Sequence, residues 1–206
     1  MKIVCIGRNY AEHAAEMKAE LPSAPVFFMK PDTALLRDNA FYLPSFTQDL
    51  HYECELVVKM DKMGKHIDPE YASNYYSHIS LGIDFTARDL QSRCKEKGLP
   101  WEMAKAFDNS AVVSDRWLPV HEFPLEKAQF SFYQNDVLKQ QASGSEMLFS
   151  IDQILAYVSQ FITLKTGDLI FTGTPAGVGP VAIGDALKGV GNVPYHGEVR
   201  VAKYTC

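Results

Sequence analysis

His51-Tyr52-Glu53-Cys54-Glu55-Leu56-Val57-Val58-Lys59-Met60 is the stretch on which the fold turns. Successive side chains on a β-strand point to opposite faces. His51, Glu53, Glu55 and Val57 therefore share one face, and Tyr52, Cys54, Leu56 and Val58 the other. Working outward, further strands read at Ile3–Gly7, Val26–Met29, Ile79–Phe85, Leu169–Phe171 and Val199–Val201. Gln129–Gln134 and Val137–Gln141 flank Asn135-Asp136, a hairpin signal. Helices are fewer. Asn9 is placed to cap one over Tyr10–Lys18, and Asp68-Pro69 starts a second. Thr86–Lys97 reads as a third, stopped by Gly98 and Pro100. Ser150-x-x-Gln153 is a capping box ahead of an apolar stripe at Ile151, Ile154, Leu155, Val158 and Ile162. Gly184-Asp185 and His196-Gly197 punctuate the last strands. Strands outnumber helices and no βαβ rhythm appears, so the expected class is α+β, β-rich, round a mixed or mostly antiparallel sheet.

The 206 residues include 20 basic and 25 acidic ones, a formal net charge of −5, with 47% hydrophobic residues. Such a chain can bury enough apolar surface to fold, and its length suits a single domain over 1–206. The acidic balance argues against nucleic acid as a partner. No apolar run approaches the ~20 residues of a membrane span, so no membrane partner is expected. Cys5, Cys54, Cys94 and Cys206 are widely spaced with no C-x-x-C pair, which suits reduced thiols and a cytoplasmic location.

The chemistry starts from Glu53 and Glu55. Residues two apart on a strand lie ~6.8 Å apart and share a face, so two carboxylates can converge. Taken alone, Glu-x-Glu is more often the solvent face of an antiparallel strand. Asp84 changes that reading. An acid ending the apolar run Leu81-Gly82-Ile83 is costly to bury unless paired or metal-bound. Three carboxylates without thiols suit a hard cation, Mg²⁺ first, with Mn²⁺ or Ca²⁺ possible. His13 and Glu16, at i and i+3 on the first helix, would be neighbours. A carboxylate can hold imidazole in one tautomer, making His13 a candidate base for a water. The plainer alternative is a surface helix pair. Thr172–Pro180 is glycine-rich but lacks a P-loop ending, and it reads equally as a hairpin connection or as a backbone cradle for a carboxylate.

Several stretches in order resemble the fumarylacetoacetate hydrolase superfamily. They are Gly7-Arg8-Asn9-Tyr10-Ala11-Glu12-His13-Ala14-Ala15-Glu16-Met17, Phe28-Met29-Lys30-Pro31, His51–Leu56, Asp84–Gln91, Lys97–Trp101, Lys105–Asp108 and Thr172–Pro180. The likeness is to the short branch containing acylpyruvate hydrolases, oxaloacetate decarboxylases and oxaloacetate tautomerases. It implies a β-rich roll of mixed sheets, a homodimer, and one Mg²⁺ or Mn²⁺ held by Glu53, Glu55 and Asp84. It implies a His13/Glu16 pair on a mobile lid over about residues 8–22, with Lys105 as a further catalytic group. Lys30, Arg88, Gln91 and Thr174, with Lys105, are implied to surround a small anionic keto-acid substrate, and charge counting adds Arg8 as a further positive group for it. The expected activity is acylpyruvate hydrolysis, oxaloacetate decarboxylation, or both, through an enolate. The alternatives are oxaloacetate keto–enol exchange and a non-catalytic metal-binding module of the same fold.

Overall fold

A computed structural model of the protein describes residues 1–38, 40–123, 125–191 and 195–202, with 195–199 described as strand backbone only. Cys206 lies outside the described residues. In chain order the strands are β1 (Ile3–Gly7), β2 (Val26–Lys30), β3 (Ala40–Tyr42), β4 (Leu50–Tyr52), β5 (Cys54–Met60), β6 (Tyr76–Asp84), β7 (Thr86–Ala87), β8 (Ala111–Val113), β9 (Leu118–Pro119), β10 (Gln129–Gln134), β11 (Val137–Ser143), β12 (Leu169–Phe171), β13 (Gly179–Pro180), β14 (Ala186–Gly191) and β15 (Tyr195–Ala202). The α-helices are α1 (Ala11–Glu16), α2 (Arg88–Lys97), α3 (Glu102–Lys105) and α4 (Ile151–Phe161).

Among the described residues these strands form three sheets. The largest runs β2-β1-β12-β5-β6-β8, with β9 also on β6; a second runs β11-β10-β14-β15-β3; a third, small one runs β13-β4-β7. Pairing is antiparallel except for β1 with β12 and β15 with β3, so the sheets are mixed as expected. The stretch read as one strand over His51–Met60 is two: it leaves the small sheet after Tyr52 and enters the large one at Cys54. Glu53 stands at that break, yet its carbonyl still accepts from Asp84 N–H at 2.8 Å.

Both faces of β5 are buried, not one. Cys54, Leu56 and Val58 join the main core with Phe130, Phe132, Ile154 and Leu155, whereas Val57 packs on the opposite side with Ile3, Cys5, Leu169 and Phe171. A central strand covered on both sides puts Glu53 and Glu55 in the interior, against the default of alternation with water. Register completes the placement. Glu55 stands opposite Gly82 on β6. A Cβ at Gly82 would lie 2.6 Å from the Val112 carbonyl and 2.7 Å from Val57 Cγ2, so glycine is required by close packing. Two residues on, Asp84 ends β6 on the same face.

Local signals behave as local physics predicts. Asn135 and Asp136 both take positive φ (52° and 61°), the turn that matches strand twist in a two-residue hairpin. Ser150 and Gln153 form the capping box of α4, worth about 1 kcal/mol. Gly98 ends α2 with φ +63°. Other boundaries shift. Thr86 and Ala87 pair with β4 instead of starting α2. The turn after Asp68 is a 3₁₀ helix, Pro69–Tyr75, with Asp68 accepting from Glu70 N–H. The helix read over Tyr10–Lys18 covers only Ala11–Glu16, and Asn9 does not cap it. The Asn9 side chain instead donates to the Phe149 and Thr172 carbonyls and accepts from Phe149 N–H. β15 runs through His196-Gly197 without a break.

Candidate active site

Glu53, Glu55 and Asp84 are buried and offer carboxylate oxygens that all lie within 4.8 Å of one another. Three such charges require compensation, and the surrounding elements supply it unevenly. Lys105, at the end of α3, donates to Glu53 Oε2 (2.8 Å), Asp84 Oδ2 (2.8 Å) and Thr86 Oγ1 (2.5 Å). Those contacts use all three of its N–H donors. Arg88, the first residue of α2, reaches Glu53 Oε1 with Nη2 at 2.5 Å and Gln91 Oε1 with Nη1 at 2.6 Å. Lys30, at the end of β2, sits behind Asp84. Its ammonium lies 2.7 Å from Asp84 Oδ1 and donates to Ser110 Oγ and the Lys105 carbonyl.

Titration follows these partners. Burial alone would raise the Glu53 pKa, but Lys105 and Arg88 outweigh it and hold the carboxyl far below its usual range. Burial would lower Lys105, yet Asp84 and Glu53 push it up to about 12. Glu55 is the exception. Its hydrogen-bond donor is Gly173 N–H at 2.8 Å, and burial, Asp84 and Glu53 drive its pKa well up.

A divalent cation fits this donor set. Glu55 has no cationic side chain against it among the described residues, and Asp84 Oδ1, despite its ionic contact, accepts no hydrogen bond. The three carboxylates bring one oxygen each within 4.8 Å of the others, and oxygen donors are what Mg²⁺ and Mn²⁺ prefer.

The glycine-rich loop is a cradle, but its occupants are the protein's own carboxylates. Gly173 (φ +101°) presents its N–H to Glu55, and Gly177 (φ +97°) presents its N–H to Glu16 at 3.1 Å. A Cβ at Gly177 would lie 2.1 Å from the Lys139 carbonyl. Thr174 Oγ1 donates to the Cys54 carbonyl at 2.8 Å and accepts from Gln140 Nε2 at 2.8 Å. Gln140 also accepts from Cys54 N–H and donates to the Pro175 carbonyl, tying loop, β11 and β5 together. Sequence reasoning missed Gln140. It sits in Lys139-Gln140-Gln141, which looks like the solvent face of a hairpin.

A cavity of about 290 Å³ opens over this floor, and its wall includes Arg8, His13, Glu53, Arg88, Gln91, Lys105 and Thr174. The structure thus brings together seven residues singled out in the sequence. Lys30 is not on that wall, because it lies beneath Asp84. Phe28, Lys95 and Trp101 are on it and were not singled out for it. His13 is buried, with Nδ1 3.1 Å from Glu16 Oε2, while Glu16 stays exposed, so the histidine turns inward and its carboxylate partner stands at the solvent edge.

Comparisons with known proteins agree with this geometry. Residues 2–202 match the family described as fumarylacetoacetate (FAA) hydrolase C-terminal. The mitochondrial oxaloacetate tautomerase FAHD1 of Bos taurus is 44% identical over 188 residues, covering 90% of this chain and 85% of that one. A mitochondrial oxaloacetate decarboxylase of Dictyostelium discoideum is 38% identical over 190 residues, 91% of this chain and 87% of that one. Among solved structures, fumarylpyruvate hydrolase from Pseudomonas aeruginosa, in complex with Mn²⁺ and pyruvate, superposes with a TM-score of 0.92 at 35% identity, covering 99% of this chain and 90% of that one.

Proposed function

The chain belongs to the fumarylacetoacetate hydrolase family, and on that premise we propose that it is a divalent-metal enzyme of small 2-oxo acids whose first reaction is keto–enol exchange of oxaloacetate. The observation that carries this reading is the buried Glu53/Glu55/Asp84 cluster under a cavity whose one described imidazole is His13. The relatives named as tautomerases move the weight from hydrolysis and decarboxylation toward proton transfer.

Glu53, Glu55 and Asp84 would hold Mg²⁺ or Mn²⁺. A bound cation supplies Lewis-acid polarisation of the substrate's oxygens. The chain's own groups do the rest. Three carboxylates against Lys30, Lys105 and Arg88 leave the floor formally neutral, so a divalent ion makes it positive and suited to an anionic substrate. Lys105 fixes Glu53 and Asp84 and keeps positive charge where an enolate oxygen would develop. Imidazole is the side chain suited to take and return a proton near neutral pH. His13, oriented by Glu16, takes the proton from the carbon next to the ketone and returns it. Arg8 (φ 60°) and Lys18 (φ 50°) bracket α1 with unusual backbone, which fits residues 8–22 acting as a lid that excludes water.

Hydrolysis of acylpyruvates is a second reading, favoured by the superposition on the Pseudomonas hydrolase. There His13 would activate a water in the same place. A non-catalytic metal module has no use for a buried His13 held by Glu16. The test is an ultraviolet assay of enol absorbance with oxaloacetate and with acetylpyruvate, in Mn²⁺ and in chelator, with pyruvate, acetate and CO₂ quantified. Exchange that requires metal is expected. Full turnover in chelator, or none of the three reactions in Mn²⁺, overturns the reading.

A further inference from the structure

Gln140 is 1% exposed, on a hairpin strand where Leu138, Lys139 and Gln141 all face solvent. Burying a carboxamide is costly unless its hydrogen bonds are made. A β-bulge puts it there. Phe132 pairs with Gln140 and Tyr133 with Leu138, so Lys139 is the extra residue. In unbroken pairing Lys139 would stand opposite Phe132, on the core face. The bulge gives that place to Gln140.

What Gln140 meets is the main chain between two of the clustered carboxylates. β12 ends at Phe171, opposite Val57, so β5 extends toward Glu53 beyond the end of its neighbour. Other groups complete that edge. Thr172 donates to the Leu56 carbonyl through its N–H (3.1 Å) and its Oγ1 (2.9 Å). Two residues further along, the Cys54 carbonyl accepts from Thr174 Oγ1 at 2.8 Å, and the Cys54 N–H donates to Gln140 Oε1 at 3.0 Å. Gln140 Nε2 donates in turn to Thr174 Oγ1 (2.8 Å) and to the Pro175 carbonyl (2.9 Å), which uses both of its N–H donors. On either side the chain is held by β6: the Glu53 carbonyl accepts from Asp84 N–H, and Glu55 stands opposite Gly82. The backbone angles at Cys54 set how the Glu53 and Glu55 side chains converge, and Gln140 and Thr174 grip that residue at both its N–H and its carbonyl. Gly173, whose N–H meets Glu55 Oε2, directly precedes Thr174, so the same network steadies that donor.

We propose that Gln140 is a positioning residue of the active site: through the Cys54 backbone and the Thr174 hydroxyl it fixes the spacing at which Glu53 and Glu55 would share a divalent cation. The bulge at Lys139 is then a functional feature of β11, because it aims this carboxamide at the carboxylate cluster. The proposal rests on the reading of that cluster as the metal site. Gln140 itself touches neither ion nor substrate. A residue that merely satisfied the fold would, when replaced, weaken folding and leave metal affinity alone.

Calorimetric titration with Mn²⁺, at a temperature where each variant is folded, separates the two roles, because lost global stability does not change the affinity of the native state. Gln140→Met keeps the volume and removes the polar contacts. It should weaken Mn²⁺ binding about 10-fold, the low end of what outer partners of metal ligands contribute. In chelator it should also quicken hydrogen exchange at the Cys54 amide. Thr174→Val should weaken Mn²⁺ to a similar extent, and the double variant should lose much less than the product of the two, since both act on one backbone segment. If Gln140→Met does not fold, Gln140→Asn, whose carboxamide is one methylene short, should show a loss in the same direction. Wild-type Mn²⁺ affinity in a folded Gln140 variant, or losses from Gln140 and Thr174 that simply multiply, overturns the positioning role alone. If the wild type binds no Mn²⁺, the reading of the cluster as a metal site falls with it.

Discussion

The floor of the cavity and the helix proposed as its lid are built on opposite plans. The cations of the floor are buried and each is held from more than one side: Lys105 by three acceptors, Lys30 by Asp84, Ser110 and the Lys105 carbonyl, Arg88 by Glu53 and Gln91. The proposed lid is a six-residue helix with no side-chain cap at its start, too short to be stable by itself. Asn9 anchors its entry through three hydrogen bonds, while its far end is tied by Glu16 to Gly177 N–H. The difference separates two tasks. Charge stabilisation needs groups that do not reorganise, whereas exchanging substrate needs a proton carrier that can leave.

If that division is right, damage to the floor abolishes function and damage to the lid redistributes it. Glu53→Ala should cost about 1,000-fold or more in enol exchange, several kcal/mol of lost charge stabilisation, and lower metal content measured by elemental analysis. Retained metal with full turnover breaks the comparison at its base. Lys105→Met leaves Glu53 and Asp84 short of a partner, and about 3–5 kcal/mol of stability should be lost in chelator. Mn²⁺ should restore part of it in urea melts. An equal deficit with and without the ion would show that Lys105 and the cation do not share those carboxylates.

How much of this was legible in sequence follows the range of the interaction concerned. The Asn135-Asp136 turn, the Ser150 capping box and the Gly98 stop are set within four residues, and they read correctly. Asn9 looked like a cap because caps are the common use of asparagine before a helix. Its actual partners, Phe149 and Thr172, are more than a hundred residues away. Glu53 and Glu55 shared a predicted face, but their burial depended on strands on both sides of β5 and on Gly82 standing opposite Glu55. Lys30 and Lys105 could be named as site cations, but which lay above the carboxylates and which beneath could not. That order is fixed by sheet position, which no spacing encodes.

The lid predictions are smaller. His13→Ala should slow enol exchange and acylpyruvate hydrolysis by about 100-fold, since both move a proton through it, and leave decarboxylation within about fivefold. Metal content and melting should not change. Equal losses in all three reactions would mean that His13 positions substrate rather than carrying a proton. Gly177→Ala should act at the other end of the helix. The substitution strains φ +97° and collides with the Lys139 carbonyl, costing about 1–3 kcal/mol, and it displaces the donor that holds Glu16. Faster proteolysis within residues 8–22 and a raised KM are expected. Unchanged proteolysis would remove Gly177 as the latch.

The smallest effect separates the floor with its cation from the floor without one. Burial and the neighbouring Asp84 and Glu53 raise the Glu55 pKa in the folded chain, outweighing the Gly173 N–H and the more distant Lys105. Its unfolded value is the ordinary one, about 4.3. Below that value both states hold the proton and Glu55 adds no pH dependence. Above it the unfolded chain ionises first, the native state binds more protons, and stability falls as pH rises, until the folded carboxyl also ionises. In chelator, urea midpoints should therefore fall between about pH 5 and 7, by up to about 1.4 kcal/mol per pH unit from this group. Bound Mn²⁺ keeps Glu55 ionised in the folded state and should abolish that slope. Subtracting the two curves removes the pH dependence that the ion does not touch. In Glu55→Gln the metal-free slope should disappear, and its persistence would assign the titration to another group.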